Sequence, residues 1–345
     1  MREVRGGRRV PVGTPARPTI MSLCFTGFPG TNRTLTTLAQ VSGLVRHIAL
    51  ADERPGGRQA RFAMAHLDET RPRTVILGGW SDHYEPFLQR ARRGGPRWIV
   101  YWTSSVGQTD IAAEIYKYAG VLADRRVAAV LYADANLVRS PAARLKTSAF
   151  LPVCALPIAS QPERRSPRRG PAVISLFCSP REMIRKNPLN ILLALAGLRH
   201  EYILHLNGLS RHAPYRLLLR RLGIPYRDFG WMERDAYEQA LADVDLGLQV
   251  SFAESHNQVA ADHLLRAIPV VGSEMVPVLA TAAPAVRAAL VVANPDNHVA
   301  LRAIIGRLLA RPQLRRQLGT ALQRQFLIDN AAHIRIARQL LRRLA

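Results

Sequence analysis

A chain of 345 residues with 48% apolar content is long enough to bury two cores. Its formal charge of +23 invites a nucleic-acid reading, but Lys117, Lys146 and Lys186 are the only lysines among 48 basic residues. Such an arginine bias reflects a GC-rich coding sequence, and the charge is spread along the chain rather than gathered beside stacking aromatics, which argues against nucleic acid as a partner. What remains is a solvated basic face, or attraction to an anionic membrane surface or a lipid phosphate.

Residues 1–18 are rich in Gly, Pro and Arg without periodicity and read as a disordered basic tail or an over-called start. From Thr19 onward, apolar runs at Ile20–Phe25, Arg46–Leu50, Thr74–Leu77, Trp98–Trp102, Val127–Tyr132 and Ala149–Leu156 alternate with helical segments of about three turns. This alternation predicts a parallel, doubly wound α/β sheet. The turn Gly27-Phe28-Pro29-Gly30-Thr31-Asn32-Arg33-Thr34 lies between strand and helix but lacks the Gly-Lys-Ser/Thr ending of a phosphate-binding loop. Two later loops follow strands and carry polar residues, Gly78 to His83 and Trp102 to Gln108, the latter including Ser104 and Ser105. Strand-end loops of this kind carry specificity.

The polar, charged segment Ala159 to Gly170 has the composition of an interdomain linker. A second alternation follows it. Val173–Cys178 reads as a strand leading to Arg181, Lys186 and the helix start Asn187-Pro188; Glu201–Leu206 and Tyr226–Gly230 read as strands, and a helix is expected from Glu233 to Asp243. The stretch from Leu246 to Val276 then reads strand, polar turn (Glu254-Ser255-His256-Asn257), helix, strand, with the second strand at Ile268–Val271. An open parallel sheet binds its ligands at such a turn, where free N–H groups attract phosphate. Glu254 and Asp262 stand at most about 12 Å apart at the helical rise. From Asn297 the pattern is helical, with Leu314, Leu318, Leu322 and Phe326 on one stripe.

Cys24, Cys154 and Cys178 form no CxxC pair and are odd in number, so neither a disulfide framework nor a metal site is indicated, and a reducing cytoplasm fits. The first apolar run is too short for a signal sequence. The longest one, Val276 to Ala293, is broken by Pro284 and Arg287 and falls short of a membrane span. Asp243-Val244-Asp245 spells the acidic triplet of some metal sites, but it precedes a buried strand and is read as structural.

At Glu254, seven residues, Asp262 and the strand Pro269-Val270-Val271, the chain resembles the retaining glycosyltransferases of GT-B fold, family 4. The turn Ser251-Phe252-Ala253-Glu254-Ser255-His256-Asn257 is similar to a Ser-Phe-Thr-Glu-Ser-Phe-Asn turn in a bacterial and phage subgroup. Arg181, four residues, Lys186-Asn187-Pro188 matches a second family motif. Here the second acid is Asp where the family has Glu, and the glycines that usually follow the first acid are absent. The likeness extends through residues 172–330; over 19–158 it is one of architecture.

The resemblance implies two Rossmann-like domains facing a cleft, an acceptor domain over 19–158 and a nucleotide-sugar domain over 171–330, with a basic helix at 331–345. It implies a metal-independent transferase of the hexosyltransferase class, moving a sugar from a nucleotide-diphosphate donor to a glycan, lipid-linked or small-molecule acceptor with retention. Arg181 and Lys186 would bind the donor diphosphate, His256 and Asn257 would supply amides to sugar or phosphate, Asp262 would hold the ribose, and Glu254 would make the donor-sugar or catalytic contact. Gly30 and Arg33 either line the cleft or form a plain turn. The family often carries a histidine after the fourth strand, where this chain has Ser104 and Ser105; His83 either substitutes for it or is structural. Phe229 to Met232 is either a base-recognition loop or ordinary packing. The final segment, His333 to Ala345, either docks on the first domain or lies at the inner face of a membrane as a peripheral contact. A non-catalytic binding subunit of the same fold, and less plausibly a nucleic-acid-binding protein, stand as the rival readings.

Overall fold

The computed structural model describes residues 19–26, 29–50, 57–89, 95–105, 112–155, 170–178 and 183–345. The expected tail at 1–18, all of the expected linker 159–170 except Gly170, and Arg181 lie outside the described residues. Twelve strands form two six-stranded sheets among these residues. The first holds β1 (Ile20–Phe25), β2 (Val45–Leu50), β3 (Thr74–Gly78), β4 (Arg97–Trp102), β5 (Val127–Tyr132) and β6 (Thr147–Phe150). The second holds β7 (Ala172–Leu176), β8 (Tyr202–Leu206), β9 (Tyr226–Asp228), β10 (Leu246–Gln249), β11 (Val270–Ser273) and β12 (Val291–Val292).

All pairings are parallel, in the orders β2-β1-β3-β4-β5-β6 and β12-β11-β10-β7-β8-β9. Parallel strands are covered by helices on both faces, so they run apolar throughout rather than alternating. Every residue of β1 and β3 is buried, the polar Ser22 and Thr74 included. Register Ile20↔Val45 on one side and Ile20↔Thr74 on the other places the first reversal of strand order at β1. The second sheet reverses where β10 pairs with β7. A reversal opens a crevice at the carboxyl ends of the strands, because successive crossovers pass to opposite faces there.

Four expectations shift. The run expected to be one strand over Ala149–Leu156 pairs only as far as Phe150. Beyond it Leu151, Val153 and Cys154 are buried in the first core. The Ala155 backbone is bonded instead by a side chain: Asn330 Nδ2 donates to its carbonyl at 2.9 Å and Asn330 Oδ1 accepts from its N–H at 2.8 Å. The strand expected to run on to Phe252 ends at Gln249, and the one expected at Ile268 begins at Val270. The apolar stretch from Val276 becomes the helices Pro277–Ala280 and Pro284–Leu290 followed by β12, a strand too short for periodicity to show. No helix among the described residues is long and apolar enough to cross a membrane.

The final helix, Pro312–Leu344, spans both cores. Leu318, Leu322 and Phe326 belong to the core of the second sheet, Ala337 and Leu341 to that of the first. Its end is tied down by Thr74 Oγ1 donating to the Leu344 carbonyl at 2.7 Å. The apolar stripe of the last segment therefore packs on the first domain. Gly319 permits the crossing: a Cβ there would collide with the Ala267 carbonyl and come 2.9 Å from Pro269 Cδ.

Candidate functional site

The site assembles where β10 ends. Gln249 is 2% exposed, a polar residue closing an otherwise apolar strand, and its Nε2 donates to the Phe177 carbonyl at 3.1 Å. Its Oε1 faces into the turn, accepting from Asn257 Nδ2 at 3.0 Å and from Lys186 Nζ at 3.5 Å. Asn257 sits at φ 63°, the left-handed region that asparagine tolerates best among residues with a Cβ. From there its Oδ1 accepts from Ala260 N at 2.9 Å and caps the helix Gln258–Leu265. Asn187, at φ 52°, makes a matching turn before Pro188, and its Nδ2 donates to the Pro295 carbonyl at 2.8 Å.

These two asparagine turns bring together residues far apart in sequence. Glu254 Oε1 accepts from Lys186 Nζ at 2.5 Å, and Glu254 Oε2 pairs with Arg185 Nη1 at 2.8 Å. Arg185 Nη1 also donates to the Ala253 carbonyl at 2.8 Å, and Phe252 N donates to the Arg185 carbonyl at 2.8 Å. All three charged side chains are mostly shielded, with Glu254 4% exposed. Burial pushes the Glu254 carboxyl up, the charges of Lys186 and Arg185 pull it down, and the cations win, holding it below the usual carboxylate range. One carboxylate thus holds two cations at the carboxyl edge of the sheet.

Asp262 stands on the next helix turn, 1% exposed. Its partner comes from the other domain: Arg33, on the helix after β1, donates from Nη1 to Oδ2 at 2.8 Å and from Nη2 to Oδ1. Arg234 adds a longer contact at 3.4 Å. Burial alone would raise this carboxyl; the Arg33 bonds and charge outweigh it and hold it low. Beside this pair Gln258 Nε2 donates to the Gly30 carbonyl at 2.8 Å and to Thr34 Oγ1 at 2.9 Å. Gly30 and Arg33 thus both contact the helix Gln258–Leu265 that follows β10.

The other sequence candidates separate. His256 is buried against the Phe326 ring, 6.5 Å away, and burial with the neighbouring charges of His333 and Arg33 lowers it to about 4. His83 packs against Phe25 with ring centroids 5.5 Å apart and planes tilted by 58°. Ser105 is buried, and in the same loop Thr103 Oγ1 meets Thr31 Oγ1 at 2.7 Å. In the loop after β9, Phe229 and Met232 pack on the core while Trp231 is 60% exposed. Asp228 shapes that loop by accepting from the N–H groups of Gly208, Ser210 and Gly230 at 2.6, 2.7 and 2.9 Å. Asp245 accepts from Val173 N at 3.0 Å and pairs with Arg315 at 3.2 Å, a structural tie as expected. No group of three His, Cys, Asp or Glu side chains suited to a metal occurs among the described residues.

Sequence reading missed Arg185, Gln249, Gln258 and Arg234. Only Gln249 carried a signal, as the polar residue within Leu246-Gly247-Leu248-Gln249-Val250.

No protein-family model matches the chain, and no curated protein matches it. Solved structures do. A sucrose-phosphate synthase (tll1590) from Thermosynechococcus elongatus is similar over 94% of this chain and 99% of its own, at TM-score 0.72 and 15% identity. A glycosyltransferase from Rickettsia africae is similar over 95% and 98%, at TM-score 0.68 and 12% identity. HepE of Anabaena, solved in complex with UDP-glucose, is similar over 94% and 98%, at TM-score 0.66 and 15% identity. At such identities the likeness establishes the fold: two Rossmann-like α/β domains in the GT-B arrangement.

Proposed function

We propose that this GT-B chain is a glycosyltransferase that moves a sugar from a nucleotide-diphosphate donor to an acceptor in the cleft between its domains. The observation that carries the reading is the buried set of Glu254, Lys186 and Arg185 at the carboxyl end of β10, beside a helix amino terminus at the strand-order reversal. Breaking a glycosidic bond to a nucleoside diphosphate builds negative charge on the leaving oxygens. Fixed, desolvated cations stabilise that charge most where it grows, which lowers the barrier without a metal ion. Lys186 and Arg185 are placed for this task, with Arg181 as the further cation named by the family motif. Glu254 holds both cations in register and is assigned to the donor sugar. His256 and Asn257 open the helix whose first N–H groups face phosphate, and Asp262 is assigned to the ribose.

Two structures of HepE and one of TarM from S. aureus, all of similar fold, were solved in complex with UDP or UDP-glucose, which supports a nucleotide-sugar donor here. Retention at the sugar, metal independence, a cytoplasmic setting, and a glycan, lipid-linked or small-molecule acceptor complete the proposal. The test is a thermal-shift screen against nucleoside diphosphates, followed by donor hydrolysis with and without a chelator. The expected result is one preferred nucleoside diphosphate and turnover of its sugar conjugates unchanged by the chelator. Binding without turnover of any donor would mark the chain as a non-catalytic binding subunit, and turnover lost to chelation and restored by a divalent ion would overturn metal independence.

A further inference from the structure

Asp262 has a partner that the family motif does not supply. Its carboxylate, 1% exposed, is gripped by both terminal nitrogens of Arg33, a side chain 34% exposed and carried by the opposite domain. The grip is reinforced by Gln258, which reaches across to the Gly30 carbonyl and Thr34 Oγ1. A bidentate guanidinium occupies both oxygens of a carboxylate, so a ribose hydroxyl cannot donate to Asp262 in its best geometry while Arg33 is in place. The same contact ties the helix after β1 to the helix after β10 and so holds the cleft closed at the nucleotide end.

We propose that Arg33 is a latch: it holds the two domains together by gripping Asp262, and a nucleotide binds by displacing it from the ribose site. The second clause rests on the assignment of Asp262 to ribose; the first does not. Arg234, 3.4 Å from the same carboxylate, is placed to keep Asp262 ionised after Arg33 leaves. Apparent affinity in such a system is the intrinsic affinity reduced by the fraction of molecules with the latch open.

The test compares the full chain with Arg33→Ala and with Arg33→Gln, which keeps a hydrogen-bond donor without the charge, after thermal melts show that each is folded. Small-angle scattering without ligand reads the closure, and calorimetric titration with the nucleoside diphosphate found by screening reads the site. Expected are a larger radius of gyration for both variants and a Kd about tenfold lower than the parent's. An unchanged radius of gyration would show a strut that plays no part in opening. A Kd raised rather than lowered would show that Arg33 is itself a donor-binding cation, and either result overturns the latch. If no nucleoside diphosphate binds parent or variants, the nucleotide reading falls, while the scattering comparison still decides whether Arg33 holds the domains closed.

Discussion

Glu254→Gln is the substitution that separates the structural from the chemical role of the site. The change keeps size and one acceptor oxygen but removes the charge shared by Lys186 at 2.5 Å and Arg185 at 2.8 Å. At an effective dielectric of about 20, two unit charges about 3 Å apart attract by roughly 5 kcal/mol, and desolvation cancels much of that. Removing one partner of a buried pair costs about 3–5 kcal/mol, because the other charge stays buried without compensation. Gln still accepts a hydrogen bond, so the lower figure applies, and the variant should lose about 3 kcal/mol, or roughly 5–10 °C in Tm. Urea unfolding without ligand measures it. A nucleoside diphosphate should restore more stability to the variant than to the parent, since two freed cations meet its charge. On the proposed reaction kcat should fall on the order of a hundredfold. A variant within 1 kcal/mol of the parent's stability, with no extra gain from nucleotide, would refute the claim that Glu254 holds the cations by charge.

Gly319→Ala should destabilise by about 1–3 kcal/mol, because the added Cβ meets the Ala267 carbonyl where the final helix crosses the second domain; a urea midpoint equal to the parent's would contradict that packing. Acid should weaken the fold well above the carboxylate range. Burial lowers His256 and His263 to about 4 from an ordinary value near 6.5, so the unfolded chain takes up protons between these pH values and stability is lost as pH falls through that window. The loss at pH 5 is about 2 kcal/mol per histidine relative to pH 7, read as the difference between urea unfolding curves.

How much of this was legible in the sequence depended on how local the cause is. Ile20–Phe25 and Val127–Tyr132 were readable to the residue, since largely buried parallel strands show as mostly apolar runs. The run from Ala149 misled for the same reason: burial under the final helix looks in sequence like burial in a sheet, and only Asn330, 175 residues away, shows where its backbone bonds go. Lys186, Glu254 and Asn257 could be named because two asparagine turns confine the site to two short motifs. Arg185 was not legible, since the motif that flags Lys186 names Arg181, which lies outside the described residues, and gives Arg185 no role.

The Arg33–Asp262 pair lies beyond any motif, for a reason that bears on function. Each residue alone has an ordinary explanation, a surface arginine on an early helix and an acid within the motif of a later one, and 229 residues separate them. Only docking of the two domains makes them partners. A contact that exists solely in the docked arrangement costs nothing in either domain taken by itself, so it can change the closure of the cleft without changing the folding of its walls. Buried ion pairs contribute little net stability compared with apolar packing of the same volume, because desolvation offsets the attraction. What such a pair supplies is discrimination between arrangements: Asp262 is well satisfied with Arg33 in place, or with another donor in its stead, and poorly satisfied with neither. That is the property a nucleotide site needs if it is to be closed when empty and to open in exchange for a ligand.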